Sequence, residues 1–300
     1  MIKDQLRVTS RKFVQTVFSN SFIRETLREY TQRGSIPKKI WGKFPVNTEF
    51  EVCFPYDIRL HYVSSTYDGI GRWLYWKGVE EWEYETIEVF CRLSKHARKV
   101  LDIGANTGIY SLIACAAHHE TTVMAFEPVP RIYEQLQRSI LRNNFQDRCS
   151  TMNAAVSDSE GEAQFHVPNH GIPTVSSLHL EGFRGIEGTL ITVPLVTIDG
   201  LLKEDEPVDL VKIDVEGFED HVLRGMLRTI QNHQPAIILE CNVDGPIDEL
   251  NRIFQALSYS LYHLRADGPV LISEFRRGED DHYRNFLLLP ESKSHWLVVK

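Results

Sequence analysis

Asp102, Gly104, Asn106 and Gly108 fall together in Val100-Leu101-Asp102-Ile103-Gly104-Ala105-Asn106-Thr107-Gly108, and their types suit the binding of a small polar ligand. Glycine has no Cβ, so the chain can turn tightly at 104 and 108 and a ligand can lie against the backbone. A helix beginning near Ile109 adds unpaired N–H groups, and Asp102, at the carboxyl end of an apolar strand, offers an acceptor to a cationic or hydrogen-bond-donating group. This set suits an amino-acid group better than a pyrophosphate. The turn reads D-x-G-x-N-x-G where a dinucleotide fold carries G-x-G-x-x-G, which disfavours a nicotinamide dehydrogenase. A second apolar run, Val123-Met124-Ala125-Phe126, ends in Glu127, 23 residues after Gly104, where an α/β sheet places a carboxylate for ribose hydroxyls. A third set is Lys212-Ile213-Asp214-Val215-Glu216-Gly217. If the strand persists through it, Lys212, Asp214 and Glu216 alternate onto one face and a carboxylate there can accept a proton. The plainer reading is a Lys212 salt bridge or a cap on the following helix. His166, His170 and His179 are alternative bases, because imidazole titrates near neutrality. Glu240 reads as a charged strand end, outside the primary site.

The elements that must hold these residues alternate as a parallel sheet requires. Strands are expected at 100–103, 122–126, 151–156, 208–213 and 236–239, with helices at 109–117, 130–143, 218–231 and 247–257. A strand at 259–264, a polar hairpin and a strand at 285–289 complete the chain. Ahead of them, Phe50 to Tyr62 alternates about Pro55-Tyr56-Asp57 as a β-hairpin, Asp68 to Arg72 reads as a loop, and a helix follows from about Glu80 to Ser94. Trp73, Tyr75, Trp76 and Trp82 form an aromatic cluster suited to a core or a substrate wall. Residues 5–30 have helical apolar spacing with basic residues between, as in a segment that docks on its own domain or lies on a membrane surface. Residues 168–188 read as a long functional loop.

Of 300 residues, 42% are hydrophobic, enough for a sizeable core. The expected division is an N-terminal helical and β-hairpin extension over 1–79 and an α/β domain over 80–300. The net charge of −8 argues against broad nucleic-acid binding. It is uneven: residues 1–45 carry ten Lys or Arg against three acids, leaving about −15 for the rest. Five scattered cysteines, without metal-ligand spacing, fit a reducing cytoplasm and no metal requirement. No apolar run reaches the roughly 18 residues of a membrane span. Oligomeric state is not readable.

Four motifs in order, V-L-D-I-G-A-N-T-G at 100–108, A-F-E-P at 125–128, A-V-S-D at 155–158 and K-I-D-V-E-G-F-E at 212–219, resemble the FkbM family of S-adenosylmethionine-dependent methyltransferases. The resemblance covers about residues 80–289. It implies a Rossmann-like class I methyltransferase fold, a seven-stranded, mostly parallel sheet with helices on both faces, six strands parallel and the last antiparallel. It also implies transfer of a methyl group from S-adenosyl-L-methionine to a hydroxyl of a small molecule or glycan. By the same resemblance, Asp102, Gly104, Asn106 and Gly108 surround the methionine part of the cofactor and Glu83 joins them from the preceding helix. Glu127 holds the ribose, and Ala155, Val156 and Asp158 meet the adenine. Lys212, Asp214 and Glu216 stand where the methyl group points. A cofactor-binding protein without turnover is the alternative. A nucleic-acid methyltransferase comes after it, since no N-P-P-Y turn follows the fourth strand and no aromatic-basic stripe interleaves the sheet.

Overall fold

The computed structural model describes residues 21–66, 68–168, 188–242, 245–276 and 284–297. Ahead of the glycine motif the chain forms α1 (Ser21–Gln32), α2 (Lys38–Trp41), the hairpin β1 (Glu49–Phe54) and β2 (Ile58–Val63), α3 (Gly69–Lys77) and α4 (Tyr84–Ser94). Strand and helix then alternate through β3 (Lys99–Ile103), α5 (Ile109–Ala117), β4 (Thr122–Phe126), α6 (Pro130–Arg142) and β5 (Cys149–Met152). Next come β6 (Ala155–Val156), β7 (Gly161–Pro168), β8 (Gly188–Val196), α7 (Ile198–Leu201) and β9 (Leu210–Ile213). The rest is α8 (Glu219–Arg224), α9 (Leu227–His233), β10 (Ala236–Glu240), α10 (Ile247–Gln255), β11 (Tyr259–Arg265), β12 (Gly268–Ile272) and β13 (Asn285–Pro290).

The apolar runs of β3, β9 and β10 become the centre of the main sheet, ordered β12-β11-β13-β10-β9-β3-β4-β5. The strands from β5 to β10 are parallel, β13 lies antiparallel beside β10, and β11 pairs antiparallel with β13, so it runs with the first five. These seven reproduce the Rossmann-like arrangement that the resemblance implies, six strands parallel and one antiparallel. The expected count is corrected to eight, because the polar segment after β11 reverses through Ala266-Asp267 and adds β12 as an antiparallel edge. Strands buried on both faces need an apolar layer on each. One layer holds Val100, Ala125, Leu210 and Ile238 against Phe90 of α4, Ile113 of α5 and Leu136 of α6. The other holds Leu101, Ile103, Val211 and Leu239 against Val222 and Leu223 of α8, Ile230 of α9 and Leu250 of α10.

Three local expectations are corrected. Residues 69–77 are helical rather than loop, since Asp68 caps α3 by accepting from Gly71 N at 2.8 Å. Gly71 serves packing there: a Cβ on it would stand 2.3 Å from Ser64 Oγ. The single helix expected over 218–231 is two, α8 and α9, and a Cβ at the intervening Gly225 would come within 2.0 Å of Ser157 O. The strand expected at 151–156 divides, and β6 leaves the main sheet for a three-stranded sheet of order β6-β8-β7.

The described part of the basic N-terminal segment docks on its own chain. Tyr75 Oη donates to Glu25 at 2.9 Å, and the Arg28 guanidinium lies 4.8 Å above the Tyr75 ring. Beneath it, Asp68 is fully buried and accepts from Tyr62 Oη at 2.9 Å and Gln135 Nε2 at 2.8 Å. Tyr62 Oη is also 2.8 Å from Thr107 Oγ1. One polar network therefore joins β2, α3 and α6 to the glycine-rich turn.

Candidate active site

Asp102 and Lys212 are register partners on the neighbouring strands β3 and β9, so both side chains stand on one face of the sheet. Asp102 Oδ2 accepts from Ser111 N at 2.9 Å and Ser111 Oγ at 2.5 Å, tying the strand to α5 beneath the turn. Gly104 has φ +80°, and its N–H and that of Ala105 both donate to Phe126 O, at 3.0 and 2.8 Å. A Cβ on Gly104 would lie 1.8 Å from Asp214 O, so the two strand ends meet backbone to backbone. Gly108 takes φ +92°, a left-handed backbone that favours glycine, and a Cβ there would also press on Leu136 Cδ1 at 2.5 Å. Asn106, also in the left-handed region at φ +49°, donates its N–H to Glu127 Oε2 at 3.0 Å. Glu127 Oε1 accepts from Val129 N at 2.8 Å. The carboxylate at the end of β4 is thus held by two backbone donors.

Two adjoining cavities open at the carboxyl ends of β3, β4, β9 and β10, sharing Gly104, Asn106, Asp214 and Glu216. The first has Glu127 on its wall and Ile132, Ala155, Val156 and Phe165 as apolar lining. The second is lined by Glu83, Tyr110, Glu240 and Arg284 together with Trp82 and the shared residues. Of the residues singled out in the sequence, Gly104, Asn106, Glu127, Ala155, Val156, Asp214, Glu216 and Glu83 reach these walls. Asp102, Gly108 and Lys212 lie behind them. Asp158 is bound by His221 Nδ1 at 2.9 Å and Arg224 Nε at 3.4 Å and lines neither cavity. His166 sits on β7, also off both walls, while His170 and His179 lie outside the described residues.

The strand does not persist through Asp214-Val215-Glu216. β9 ends at Ile213, and Glu216 and Gly217 take φ of +53° and +99°. Both carboxylates still face the cavities, delivered by a turn instead of by alternation. Lys212 is fully buried, donates to Ile213 O at 3.2 Å, lies 3.7 Å from Asp214 Oδ2 and sits 5.1 Å above the Tyr110 ring. Tyr110 Oη donates to Glu83 at 3.0 Å. Sequence reading leaves out Glu240, Tyr110, Asn242 and Arg284; only Glu240 carries a signal, as an acid ending the strand next to β9.

Burial sets the electrostatics. It is the largest cause that pushes Asp102 up to about 6, Glu127 and Glu219 to about 7 and Glu216 to about 8, and it raises Glu83 and Glu240 as well. Burial works against the Lys212 ammonium, but the charges of Asp214, Glu240, Glu83 and Asp102 outweigh it and hold its pKa above the usual lysine value. A carboxyl raised in the folded state keeps a proton that the unfolded chain has lost near pH 4. The stability it contributes is complete below that point and is lost as pH rises through the folded value. His96 and His118, lowered mainly by desolvation, act with the opposite sign from more exposed positions. The melting temperature of the ligand-free protein is therefore expected to fall between pH 5 and pH 8. A flat or rising series of thermal melts would contradict this assignment.

Among the described residues, no group of three or more His, Cys, Asp or Glu could hold a metal ion, and no helix is long and apolar enough to cross a membrane. The chain resembles a methyltransferase, sdnD of Sordaria araneosa, with 29% identity over 154 residues, 42% of this chain and 60% of that one. It thus spans less than two thirds of that relative's length. A hexuronic acid methyltransferase, AglP of Haloferax volcanii, is 26% identical over 205 residues, 66% of this chain and 78% of that one. Among solved structures, the methyltransferase FkbM of Methylobacillus flagellatus aligns with TM-score 0.44 and 18% identity over 64% of this chain and 43% of that chain. The family model for the methyltransferase FkbM domain matches residues 102–261, over half of the sequence, and the chain belongs to that family.

Proposed function

We propose that the protein is an S-adenosylmethionine-dependent O-methyltransferase acting on a hydroxyl of a small molecule or glycan. The observation that carries this reading is the pair of adjoining cavities, one with an apolar lining and an acid at the end of β4, the other lined by Glu83, Asp214, Glu216 and Glu240. The donor set fits the cofactor. Glu127 uses each oxygen once toward the backbone, and a carboxylate keeps further lone-pair sites for a ribose diol. Ile132, Ala155, Val156 and Phe165 offer an apolar bed for a purine. Asn106, Gly104 and Glu83 stand around the space for the amino-acid portion, Glu83 steadied by Tyr110. Asp102 and Gly108 shape the turn from beneath.

When bound, the cofactor supplies an electrophilic methyl group on a cationic sulfur. The chain's work is alignment of the acceptor oxygen and management of its proton. Asp214 and Glu216 both face the shared space of the two cavities, and in this reading one of them takes that proton; Glu216, pushed mainly by burial to about 8, is a better base once ionised than a carboxylate of the usual pKa. Lys212, buried behind them, balances their charge. The glycan part of the acceptor reading is supported by the sugar acid named for the hexuronic acid relative. None of the five cysteines is in a disulfide, which supports a reducing, cytoplasmic setting.

Titration calorimetry with S-adenosylhomocysteine, followed by a screen of sugars, lipids and polyketide alcohols with a labelled methyl donor, tests the reading. Binding with transfer to a hydroxyl is expected. Binding without transfer to any class would favour a cofactor-binding protein, and absence of binding would overturn the proposal. Glu127→Ala removes both carboxylate oxygens and is expected to weaken S-adenosylhomocysteine by about 2–3 kcal/mol, the scale of a charge-assisted hydrogen-bond pair. Unchanged affinity in a folded variant would remove Glu127 from the ribose site.

A further inference from the structure

Resting on the methyl-transfer reading, we propose that Asn242 and Arg284 are positioning residues that fix the Glu216 carboxyl in the orientation from which it takes the acceptor's proton. Asn242 Nδ2 donates to Glu216 Oε2, and Arg284 Nη1 donates to Asn242 Oδ1 at 2.6 Å. A guanidinium can only donate, so it selects the Asn242 oxygen and turns the amide nitrogen toward Glu216. The order Arg284, Asn242, Glu216 therefore has one consistent direction. The backbone locks the same parts together: Arg284 O accepts from Cys241 N at 2.8 Å, and Gly245 N donates to Asn242 O at 2.8 Å. Glu216 and Arg284 both line the second cavity. Oε2 is the oxygen that the amide holds.

Glu216 also sits at φ +53°, a conformation that costs an L-residue about 1–2 kcal/mol and that glycine would take without strain. A glutamate kept there points to a use for its side chain. In the proposed step the acceptor's O–H proton passes to the Glu216 carboxylate as the O–CH₃ bond forms. The C–S bond of the sulfonium breaks and its electron pair stays on sulfur. Arg284 lies beyond residues 102–261, so the relay joins the family segment to the strand that follows it.

The groups whose charge bears on Glu216 are Asp214 and Glu219, which favour its protonated form, and Arg284, which opposes them; its own charge is felt in turn by Glu240. The test is a carbon-13 carboxyl titration of Glu216 in the intact protein without cofactor, with the resonance assigned by its loss in Glu216→Gln. Asn242→Ala and Arg284→Met are each expected to move the Glu216 midpoint upward by about one pH unit, the size of one lost hydrogen bond. Arg284→Lys, which keeps a donor and the charge, is expected to restore most of the shift. With a labelled methyl donor and an accepted alcohol, the first two variants should lower kcat about tenfold with KM nearly unchanged, and their rate should rise at a correspondingly higher pH. A Glu216 midpoint unmoved in folded Asn242→Ala or Arg284→Met would overturn the proposal. If either variant fails to fold, Asn242→Ser provides the same comparison. Because the titration needs no cofactor, failure of the relay is distinguishable from failure of the methyl-transfer reading, which S-adenosylhomocysteine binding decides.

Discussion

Gly104→Ala is expected to abolish S-adenosylhomocysteine binding measurable by calorimetry and to lower the melting temperature by about 10 °C. The left-handed conformation at φ +80° alone costs an alanine about 1–2 kcal/mol. The added methyl would also stand 1.8 Å from Asp214 O, a backbone atom held by Asp214 N donating to Ile103 O at 2.9 Å. It cannot turn aside as a flexible side chain would, so the turns after β3 and β9 must part. Together these place the variant in the tail of destabilisation above about 4 kcal/mol, and at about 2–4 °C per kcal/mol for a domain of this size the melt follows. Gly268→Ala is the control. Its φ is +109° with nothing within 4 Å of the added Cβ, so it carries the conformational cost without the collision. Equal effects at the two positions would show that the meeting of Gly104 and Asp214 contributes nothing.

The second large effect is expected at Lys212. Lys212→Met keeps much of the volume but removes a fully buried cation that stands among Asp214, Glu240, Glu83 and Asp102. Breaking such a set by deleting one partner typically costs about 3–5 kcal/mol, because the remaining charges stay buried without compensation. The cost should depend on pH. At pH 8 more of these carboxyls are ionised and the loss is largest. At pH 5.5, Asp102, pushed to about 6 mainly by burial, and the raised Glu83 and Glu240 hold more of their protons, so the loss shrinks. Denaturant melts at both pH values measure this directly. A penalty equal at the two would mean that Lys212 serves packing against Tyr110 and the sheet, not charge balance.

How much of this was legible beforehand follows from which interactions are local in sequence. Gly104, Asn106 and Glu127 belong to contiguous strand-turn patterns whose geometry is nearly fixed by the parallel sheet, and all three reach the first cavity with Ala155 and Val156. Asp102, Gly108 and Asp158 carry suitable residue types, yet they are taken up by Ser111, by Leu136 and by His221 with Arg224. Residue type does not say whether a neighbour gets there first. The Glu216–Asn242–Arg284 relay was illegible because it depends on β13 inserting between β10 and β11, a strand order that no local pattern encodes. Alternation failed at Asp214 to Glu216 because strand length, unlike strand existence, is set by where the facing backbone of Gly104 must fit. The helix over 69–77 was hidden by its two glycines, which propensity counts against a helix, although tight packing on Ser64 requires the one at 71.

The Asp68 network bears on where this protein could be divided. Tyr62 and Asp68 lie ahead of the family segment at 102–261, while Thr107 and Gln135 lie inside it, and Phe50, Tyr62 and Tyr75 share an apolar layer with Phe90 and Ile113. A fragment begun at residue 102 would leave Gln135 Nε2 without its acceptors and turn that layer of the sheet toward water. The extension and the glycine-rich turn are therefore expected to open as one cooperative unit. Slow-exchanging amides of β2 and of the first turn of α5 should be released together in native-state hydrogen exchange, and the homology boundary is not a folding boundary.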